Sequence, residues 1–274
     1  MSETAQQVAL PPRIKGVKAG SAPLEEATGR VLSTRLADLD RLLPEGGLPL
    51  GAVIEVTSPY GLGRATSVAL GACAAAQAEA KLRGGEEAAA AWCAWVEPMG
   101  VGLPSNDAPG AHPPPLLPGG QRAQPRDPAF ASLFAPAAER AGVDLSRLLV
   151  VRPDLDTLAQ TALRLAASRV FSVVVIDLAG VPGRRQRPRL DRWVNPVRRL
   201  AIAVEGAECS VVLLTDSLIP RSFPLPVALR LELDRAAEDR LSVTVAKDRR
   251  GRVSSPKPLA LGRPPSSPGL ERSA

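Results

Sequence analysis

The sequence predicts an α/β protein with a mostly parallel sheet that ends in an antiparallel hairpin. Short apolar runs alternate along the chain with segments of helical periodicity, as in strands joined by crossover helices. Residues 173–177 and 210–214 are almost continuously apolar, which is typical of strands buried on both faces of a sheet. Residues 227–233 and 241–245 alternate between apolar and polar, with 236–240 as the turn, which indicates a hairpin with one solvated face.

The first elements follow a polar N-terminal segment. Residues 1–27 are dotted with proline and show no periodicity, so we expect a flexible arm. Residues 33–43 place four leucines on one helical face, with Ser33 or Thr34 as the N-cap. Residues 52–56 are predicted to form a strand, and a glycine-bearing loop then leads into an alanine-rich helix over 64–83.

Strands and helices alternate through the middle of the chain. We predict strands over 91–96, 148–151, 173–177 and 210–214, and helices over 129–141, 154–168 and 190–204. Proline and glycine are dense over 98–128, and we expect this long loop to be disordered. The predicted core therefore covers 28–253, and the Pro/Ser-rich residues 254–274 are predicted to be a disordered tail.

Composition limits the classes of function. The net charge of +6 indicates an acidic partner such as nucleic acid, or a basic surface that only confers solubility. Aromatic residues are 3% of the chain, so stacking platforms for single-stranded nucleic acid are poorly supplied. The three cysteines form no CxxC pair, which argues against a zinc site or a disulfide framework. No signal core or membrane-spanning apolar run is present, so we expect a cytoplasmic protein.

The loop after the first long strand stands where a phosphate-binding P-loop would be. That motif reads G-x-x-x-x-G-K-[ST]: its backbone amides hold phosphate, its lysine reaches the terminal phosphates, and its hydroxyl binds Mg²⁺. Here Ser58 stands at the first glycine, Gly63 at the second, Arg64 at the lysine and Ala65 at the hydroxyl. The residues that perform the chemistry are therefore replaced.

Two interpretations of this loop remain open. Gly61, Gly63, Arg64 and Thr66 could retain weak ATP or ADP binding, because a helix N-terminus attracts anions and arginine can hold a phosphate. Alternatively, the two glycines only make a tight turn. Asp177, at the end of a buried strand, fits either a second metal-side residue or a residue that braces a loop. We predict a vestigial nucleotide site with no cofactor, no metal and no catalytic residue.

Several ordered blocks between about residues 28 and 252 resemble bacterial RecA, which implies a RecA-like P-loop NTPase core. These blocks are residues 36–40, 46–55, 141–149, 152–154, 198–201 and 227–234. The differences from RecA occur at the positions that carry out the function of RecA. Met99 stands at the catalytic glutamate of RecA, with Glu97 two residues earlier, and Asp216 stands near the phosphate-sensing glutamine, where it would repel phosphate. The counterpart of the second DNA-binding loop, 217–226, is short and contains three prolines.

This combination is similar to the ImuA family, the RecA-related accessory proteins of bacterial mutagenesis cassettes. The resemblance implies a non-hydrolysing protein of DNA-damage-induced translesion synthesis. It also implies protein partners: the Y-family-like ImuB, RecA itself, and indirectly an error-prone C-family polymerase. Such a protein would work in the cytoplasm, at the nucleoid when DNA is damaged.

An arginine cluster follows Asp177, at about the place of the first DNA loop of RecA. Its members are Arg184, Arg185, Arg187, Arg189 and Arg192. They are candidates for DNA phosphate contacts, for docking to an acidic protein surface, or for a solvated loop without a ligand. Residues 247–252 form a second basic run.

Two alternatives to the non-hydrolysing accessory protein remain. The first is an active RecA-family ATPase that uses Arg64, Glu97 and Asp177. The second is a non-enzymatic DNA-binding protein that uses the arginine cluster 184–192.

Overall fold

The computed structural model describes residues 30–59, 64–84, 91–98, 133–179, 189–219, 224–237 and 240–260. Within them the strands are β1 Val31–Leu32, β2 Leu48–Pro49, β3 Val53–Ser58, β4 Trp92–Val96, β5 Leu148–Val151, β6 Phe171–Asp177, β7 Ser210–Asp216, β8 Leu229–Ala237, β9 Arg240–Asp248 and β10 Lys257–Ala260. The helices are α1 Ala37–Leu42, α2 Arg64–Arg83, α3 Ala135–Arg140, α4 Leu158–Ala167 and α5 Val194–Val204. The predicted arm 1–27 and all but the first residue of the predicted loop 98–128 lie outside the described residues.

Eight strands form the central sheet in the order β10-β9-β8-β3-β7-β6-β4-β5, and β1 pairs with β2 separately. Six adjacent strands run parallel to one another: β8, β3, β7, β6, β4 and β5. Strand β9 is antiparallel to both of its neighbours, β8 and β10. The prediction of a mixed α/β fold with a mostly parallel sheet and an antiparallel hairpin is therefore confirmed. Strands β6 and β7 occupy the interior of the sheet, because their apolar side chains can be buried on both faces.

Helices pack on both faces of the sheet. On the first face, α1, α2 and α3 cover a core that includes Ile54, Val56 and Trp95. On the second face, α4 and α5 cover a core that includes Val53, Leu213 and Trp193. Alternate residues of β3 thus point into different cores, as the two-residue repeat of a strand requires.

Helix α2 has the bounds predicted from the sequence. It is buried along most of its length, because alanine side chains allow the helix to lie close to the strands. Gly71 makes the closest approach: a Cβ atom there would lie 1.9 Å from the carbonyl oxygen of Thr34. Gly84, with a φ of +69°, follows the last helical residue, in the left-handed conformation that commonly ends helices.

The predicted N-cap of the first helix is wrong. Leu36 is the N-cap residue of α1, and no side chain caps the helix. Instead Asp40 reaches back from within the helix. Its Oδ1 accepts hydrogen bonds from the amide and hydroxyl of Thr34, at 2.9 and 2.6 Å, and its Oδ2 accepts one from the Ser33 hydroxyl at 2.7 Å. The hydroxyl groups of Ser33 and Thr34 therefore bind the carboxylate of Asp40 instead of capping the helix.

Two predicted helices begin later than expected. Residues 154–157 precede α4 as turns, and the segment Leu190–Trp193 is a 3-10 turn before α5. Pro196 falls in the first turn of α5, where its missing N–H has no helical acceptor to lose, so the helix continues through it. Only Ala135–Arg140 of the predicted helix 129–141 is helical within the described residues, and 129–132 lie outside them.

The C-terminal hairpin is longer than the alternating pattern predicts. Residues 236, 237 and 240, predicted as part of the turn, belong to β8 and β9, because backbone pairing continues after the apolar alternation stops. The prediction of a disordered tail from residue 254 is wrong for Lys257–Ala260, which form β10. This strand pairs with the edge of β9 and places Leu259 in the first core. Residues 261–274 lie outside the described residues.

Candidate functional site

The carboxyl ends of four adjacent parallel strands carry polar residues. Ser58 ends β3, Asp216 ends β7 and Asp177 ends β6, and Glu97 follows β4 directly. Ser58 and Asp216 are direct neighbours in the strand register. Ligands of open parallel sheets bind at this edge, so the strand-end residues define the candidate site.

The loop after β3 is only partly described. Gly61 and Gly63 lie outside the described residues, so their predicted role stays a prediction. Arg64 and Thr66 are half-buried in the first turn of α2, and no carboxylate among the described residues pairs with Arg64. Ala65 is 4% exposed. The position that holds the metal-binding hydroxyl in a P-loop is therefore a buried methyl group.

Glu97 joins three segments of the chain. It is 6% exposed, and its Oε1 lies 2.6 Å from Nε of Arg152, just after β5. Its Oε2 accepts a hydrogen bond of 3.1 Å from the backbone N–H of Leu133. Both carboxylate oxygens are thus engaged by the protein itself. A general base needs a carboxylate that can reach the water it activates, so this arrangement gives Glu97 a structural role. Met99 lies outside the described residues.

The two aspartates at this edge brace turns. Asp177 is half-buried, and its Oδ1 accepts the backbone N–H of Ala179 at 3.1 Å. Asp216 is 2% exposed, and its Oδ1 accepts the backbone N–H of Leu218 at 2.9 Å. Both bonds span two residues, which is the geometry of an Asx turn. The hydrogen bond from Ala179 agrees with the loop-bracing interpretation of Asp177, and its role beside a metal stays a prediction.

Metal and thiol chemistry find little support in the described part of the chain. No group of three or more His, Cys, Asp or Glu side chains there could hold a metal ion. All three cysteines are buried and free. Hydrogen bonding to Cys93, together with burial, raises the pKa of the Cys73 thiol, and burial raises the pKa of Cys209 to about 12. These thiols are therefore protonated at neutral pH and poor nucleophiles.

The arginine cluster is described only at its end. Arg184, Arg185 and Arg187 lie outside the described residues. Arg189 and Arg192 are exposed around the 3-10 turn that leads into α5, and neither pairs with a carboxylate of the described residues. The structure thus places two of the five predicted contact residues on the surface beside α5.

The second basic run, 247–252, is tied to the rest of the protein. Arg250 and Arg252 both bind Glu45, at 2.7 and 2.9 Å, and Arg252 also binds Asp248 at 2.9 Å. The ammonium group of Lys247 donates to the backbone carbonyl of Leu225 at 3.2 Å. These contacts attach the end of β9 to the loop after α1. Glu45 therefore offsets part of the positive charge of this run.

A buried polar network in the centre of the sheet was missed by the sequence analysis. Glu55 of β3 is fully buried, and its Oε1 accepts a hydrogen bond of 2.8 Å from the Thr215 hydroxyl. Nε of Arg230 in β8 lies 3.7 Å from the other carboxylate oxygen, and Arg230 also binds Glu232 at 2.7 Å. The only available signal was a single acidic residue inside an otherwise apolar strand.

Two adjoining clefts lie at the opposite edge of the sheet from the candidate site. They share Ser172 and Glu208, and the larger one, of about 350 Å³, also contacts Arg169 and Cys209. Glu208 pairs with Arg30 and, at 2.9 Å, with Arg83. The hydrogen bond from Arg30 holds the pKa of the Glu208 carboxyl below its usual value, against a smaller opposing effect of burial and with further help from Arg83. This cluster links the start of the described chain to α2 and to the turn before β7.

No helix in the described ranges is both long and apolar enough to cross a lipid bilayer. No family model matches this sequence, and no curated protein is similar enough to count as a relative.

Proposed function

We propose that this chain is a RecA-like accessory protein of DNA-damage-induced translesion synthesis that binds protein partners and does not hydrolyse ATP. The proposed RecA-like core is supported by the ordered sequence blocks and by the parallel sheet in which a strand, a glycine-bearing loop and a helix follow one another. The expected partners are an ImuB-like Y-family protein and RecA, with an error-prone C-family polymerase reached indirectly. The protein would act in the cytoplasm, at the nucleoid once DNA is damaged.

The observation that carries this proposal is the buried methyl group of Ala65 at the position of the Mg²⁺-binding hydroxyl. Phosphoryl transfer by a P-loop protein depends on that hydroxyl, on the lysine before it and on a carboxylate that orients water. Arg64 replaces the lysine, and its planar guanidinium does not reproduce a compact ammonium charge. Each position required for hydrolysis is therefore altered or engaged elsewhere.

The competing ATPase hypothesis requires Arg64, Glu97 and Asp177 to act together. Glu97 would have to leave both Arg152 and the Leu133 amide, and Asp177 would have to leave the amide of Ala179. Each departure breaks a hydrogen bond within the protein, and the amides of Leu133 and Ala179 would then need another acceptor, whereas the exposed Arg152 could be solvated by water. The loss of these hydrogen bonds weighs against a catalytic role for the two carboxylates.

The first test measures binding and hydrolysis of ATP and ADP by the purified chain, with and without single-stranded DNA. We expect no turnover, and no change in the thermal unfolding midpoint when MgATP is added in excess. A ligand that binds the folded state must raise that midpoint. The variant Arg64→Ala serves as the matched control and should behave like the wild type. DNA-stimulated hydrolysis that Arg64→Ala abolishes would overturn the proposal in favour of the ATPase.

The second test addresses the pathway. A strain that lacks the gene should lose damage-induced mutagenesis, and both the wild-type chain and Arg64→Ala should restore it equally. The purified chain should also retain the ImuB-like protein or RecA in a pull-down. Normal induced mutagenesis in the deletion strain would contradict the proposed pathway, whatever the nucleotide assays show.

A further inference from the structure

The solvent face of α5 carries arginines that have no acidic partner in the described structure. Arg192, in the turn before the helix, and Arg198 and Arg199 within it are all exposed. None of the ion pairs or hydrogen bonds in the described residues engages their guanidinium groups. Arg83, Arg230 and Arg252 are by contrast paired with carboxylates, whereas the exposed Arg235 and Arg240 also have no carboxylate partner in the described structure. The α5 arginines are thus available to a ligand.

The same face carries an exposed isoleucine. Ile202 is 72% exposed, and Arg198 and Arg199 precede it by four and three residues, so both lie one helical turn away on the same side. The opposite side of the helix is fixed in the core by Val197, Leu200 and Val204. Because these residues cannot leave the core without exposing it, Ile202 and its two arginines keep facing the solvent.

This composition is that of a protein-binding surface. Arginine is enriched in protein interfaces and among the residues that contribute most to binding, and an exposed apolar side chain beside it gains from burial by a partner. A guanidinium group is weakly hydrated and pairs with carboxylates through two parallel hydrogen bonds, so it loses little when a partner displaces water. The isoleucine, one helical turn from both arginines, offers an apolar contact that a phosphate backbone does not use.

We infer that the outer face of α5 docks an acidic segment of a partner protein. One aliphatic or aromatic side chain of that segment packs on Ile202, and carboxylates beside it pair with Arg198 and Arg199. Nucleic acid fits this face less well, because a phosphate backbone has no apolar group to cover the exposed side chain of Ile202. The inference goes beyond the proposed function, since it follows from α5 alone and holds for a partner in any pathway.

The experiment selects random short peptides on display against the purified chain, with counter-selection against Arg198→Gln/Arg199→Gln. Recovered peptides should share Asp or Glu on both sides of one large apolar residue. A labelled copy of the strongest peptide is then titrated by fluorescence anisotropy. Both Ile202→Ser and the double arginine variant should weaken its affinity by about tenfold or more, as for central interface residues. Arg235→Gln and Leu82→Ser, which change an exposed arginine and an exposed leucine elsewhere, should leave it unchanged.

Thermal unfolding of each variant confirms that it is folded before binding is compared. The inference would be overturned if the selected peptides share no acidic consensus, or if Ile202→Ser leaves their affinity unchanged. A labelled single-stranded oligonucleotide forms the second arm. The face is a DNA surface instead if no peptide is recovered and the oligonucleotide binds the wild-type chain. In that case the double arginine variant should bind the oligonucleotide more weakly, and Ile202→Ser should bind it as the wild type does. The inference then fails while the proposed function stays open, because the nucleotide and mutagenesis tests do not involve α5.

Discussion

The arginines of the sheet and those of α5 differ in what they contact. Arg230 reaches the buried Glu55 from a neighbouring strand, and Arg152 binds Glu97 at the end of the sheet. Arg198 and Arg199 of α5 contact no carboxylate in the described residues. The first group therefore stabilises the fold, and a change there should lower the free energy of unfolding. The second group makes no such contact, and a change there should leave the free energy of unfolding nearly unchanged.

The largest effect that would test this difference is expected for Arg230→Gln. Arg230→Gln removes the guanidinium group that lies 3.7 Å from the fully buried carboxylate of Glu55 and that also binds Glu232. Removal of one partner of a buried pair costs about 3–5 kcal/mol, and because Arg230 is partly exposed we expect the low end of this range, about 3 kcal/mol. Urea unfolding measures the change. The control Arg235→Gln lies on the exposed part of the same strand and should cost less than about 0.5 kcal/mol. Equal losses in both variants would contradict the structural role of Arg230.

The next effect is expected for Glu97→Ala, which removes an acceptor from Arg152 and from the Leu133 amide. We expect a loss of about 2 kcal/mol, mainly from the amide that loses its acceptor, because the Arg152 side chain is half-exposed. Glu97→Gln keeps an acceptor and should cost less. Glu139→Ala, on the exposed side of α3, is the matched control and should be neutral. Unchanged stability in Glu97→Ala, together with loss of an ATPase activity, would instead support the catalytic interpretation of Glu97.

A smaller and pH-dependent effect is expected at Glu208. Its pKa is lowered in the folded protein, so its contribution to stability is fully present above its ordinary value of 4.5 and disappears as the pH falls through the folded-state value. The stability difference between wild type and Glu208→Gln should therefore be constant from neutral pH to about pH 5 and shrink below it. The pair is largely exposed, so the difference should amount to a few tenths of a kcal/mol. A difference that grows on acidification would contradict this assignment.

The parallel sheet can be predicted from the sequence because its central strands consist almost entirely of apolar residues. The residues of β6 and β7 are so apolar that these strands must be buried on both faces of the sheet. The end of the alanine-rich helix α2 is also predictable, because a glycine follows its last residue. Strand β10 was missed because its residues look like the rest of a Pro/Ser-rich tail. What makes it a strand is the free edge of β9, where backbone hydrogen bonds are available to many sequences.

The candidate site was predictable only in part. The strand-end positions of Asp177 and Asp216, and the approximate place of Glu97, follow from the pattern of strands. The contacts of Glu97 do not, because Arg152 lies 55 residues further along the chain and becomes its neighbour only when β5 pairs with β4. Likewise, Arg250 and Arg252 both bind Glu45, which is distant from them in the sequence. Charge counted along the chain therefore does not show which arginines of 247–252 are paired, and the predicted cluster 184–192 does not include Arg198 and Arg199 of α5.

The smallest effect on stability is expected for Arg198→Gln/Arg199→Gln, and this small effect is informative. Both residues are exposed and unpaired, so the free energy of unfolding should change by less than about 0.5 kcal/mol. Two like charges on adjacent residues repel each other, so their removal should stabilise the helix slightly, which calorimetry at low salt would detect best. A loss comparable to that of Arg230→Gln would mean that these arginines hold the fold through contacts to segments outside the described residues. An unchanged midpoint, combined with loss of the selected peptide, would separate binding from folding and leave the comparison between the two groups of arginines intact.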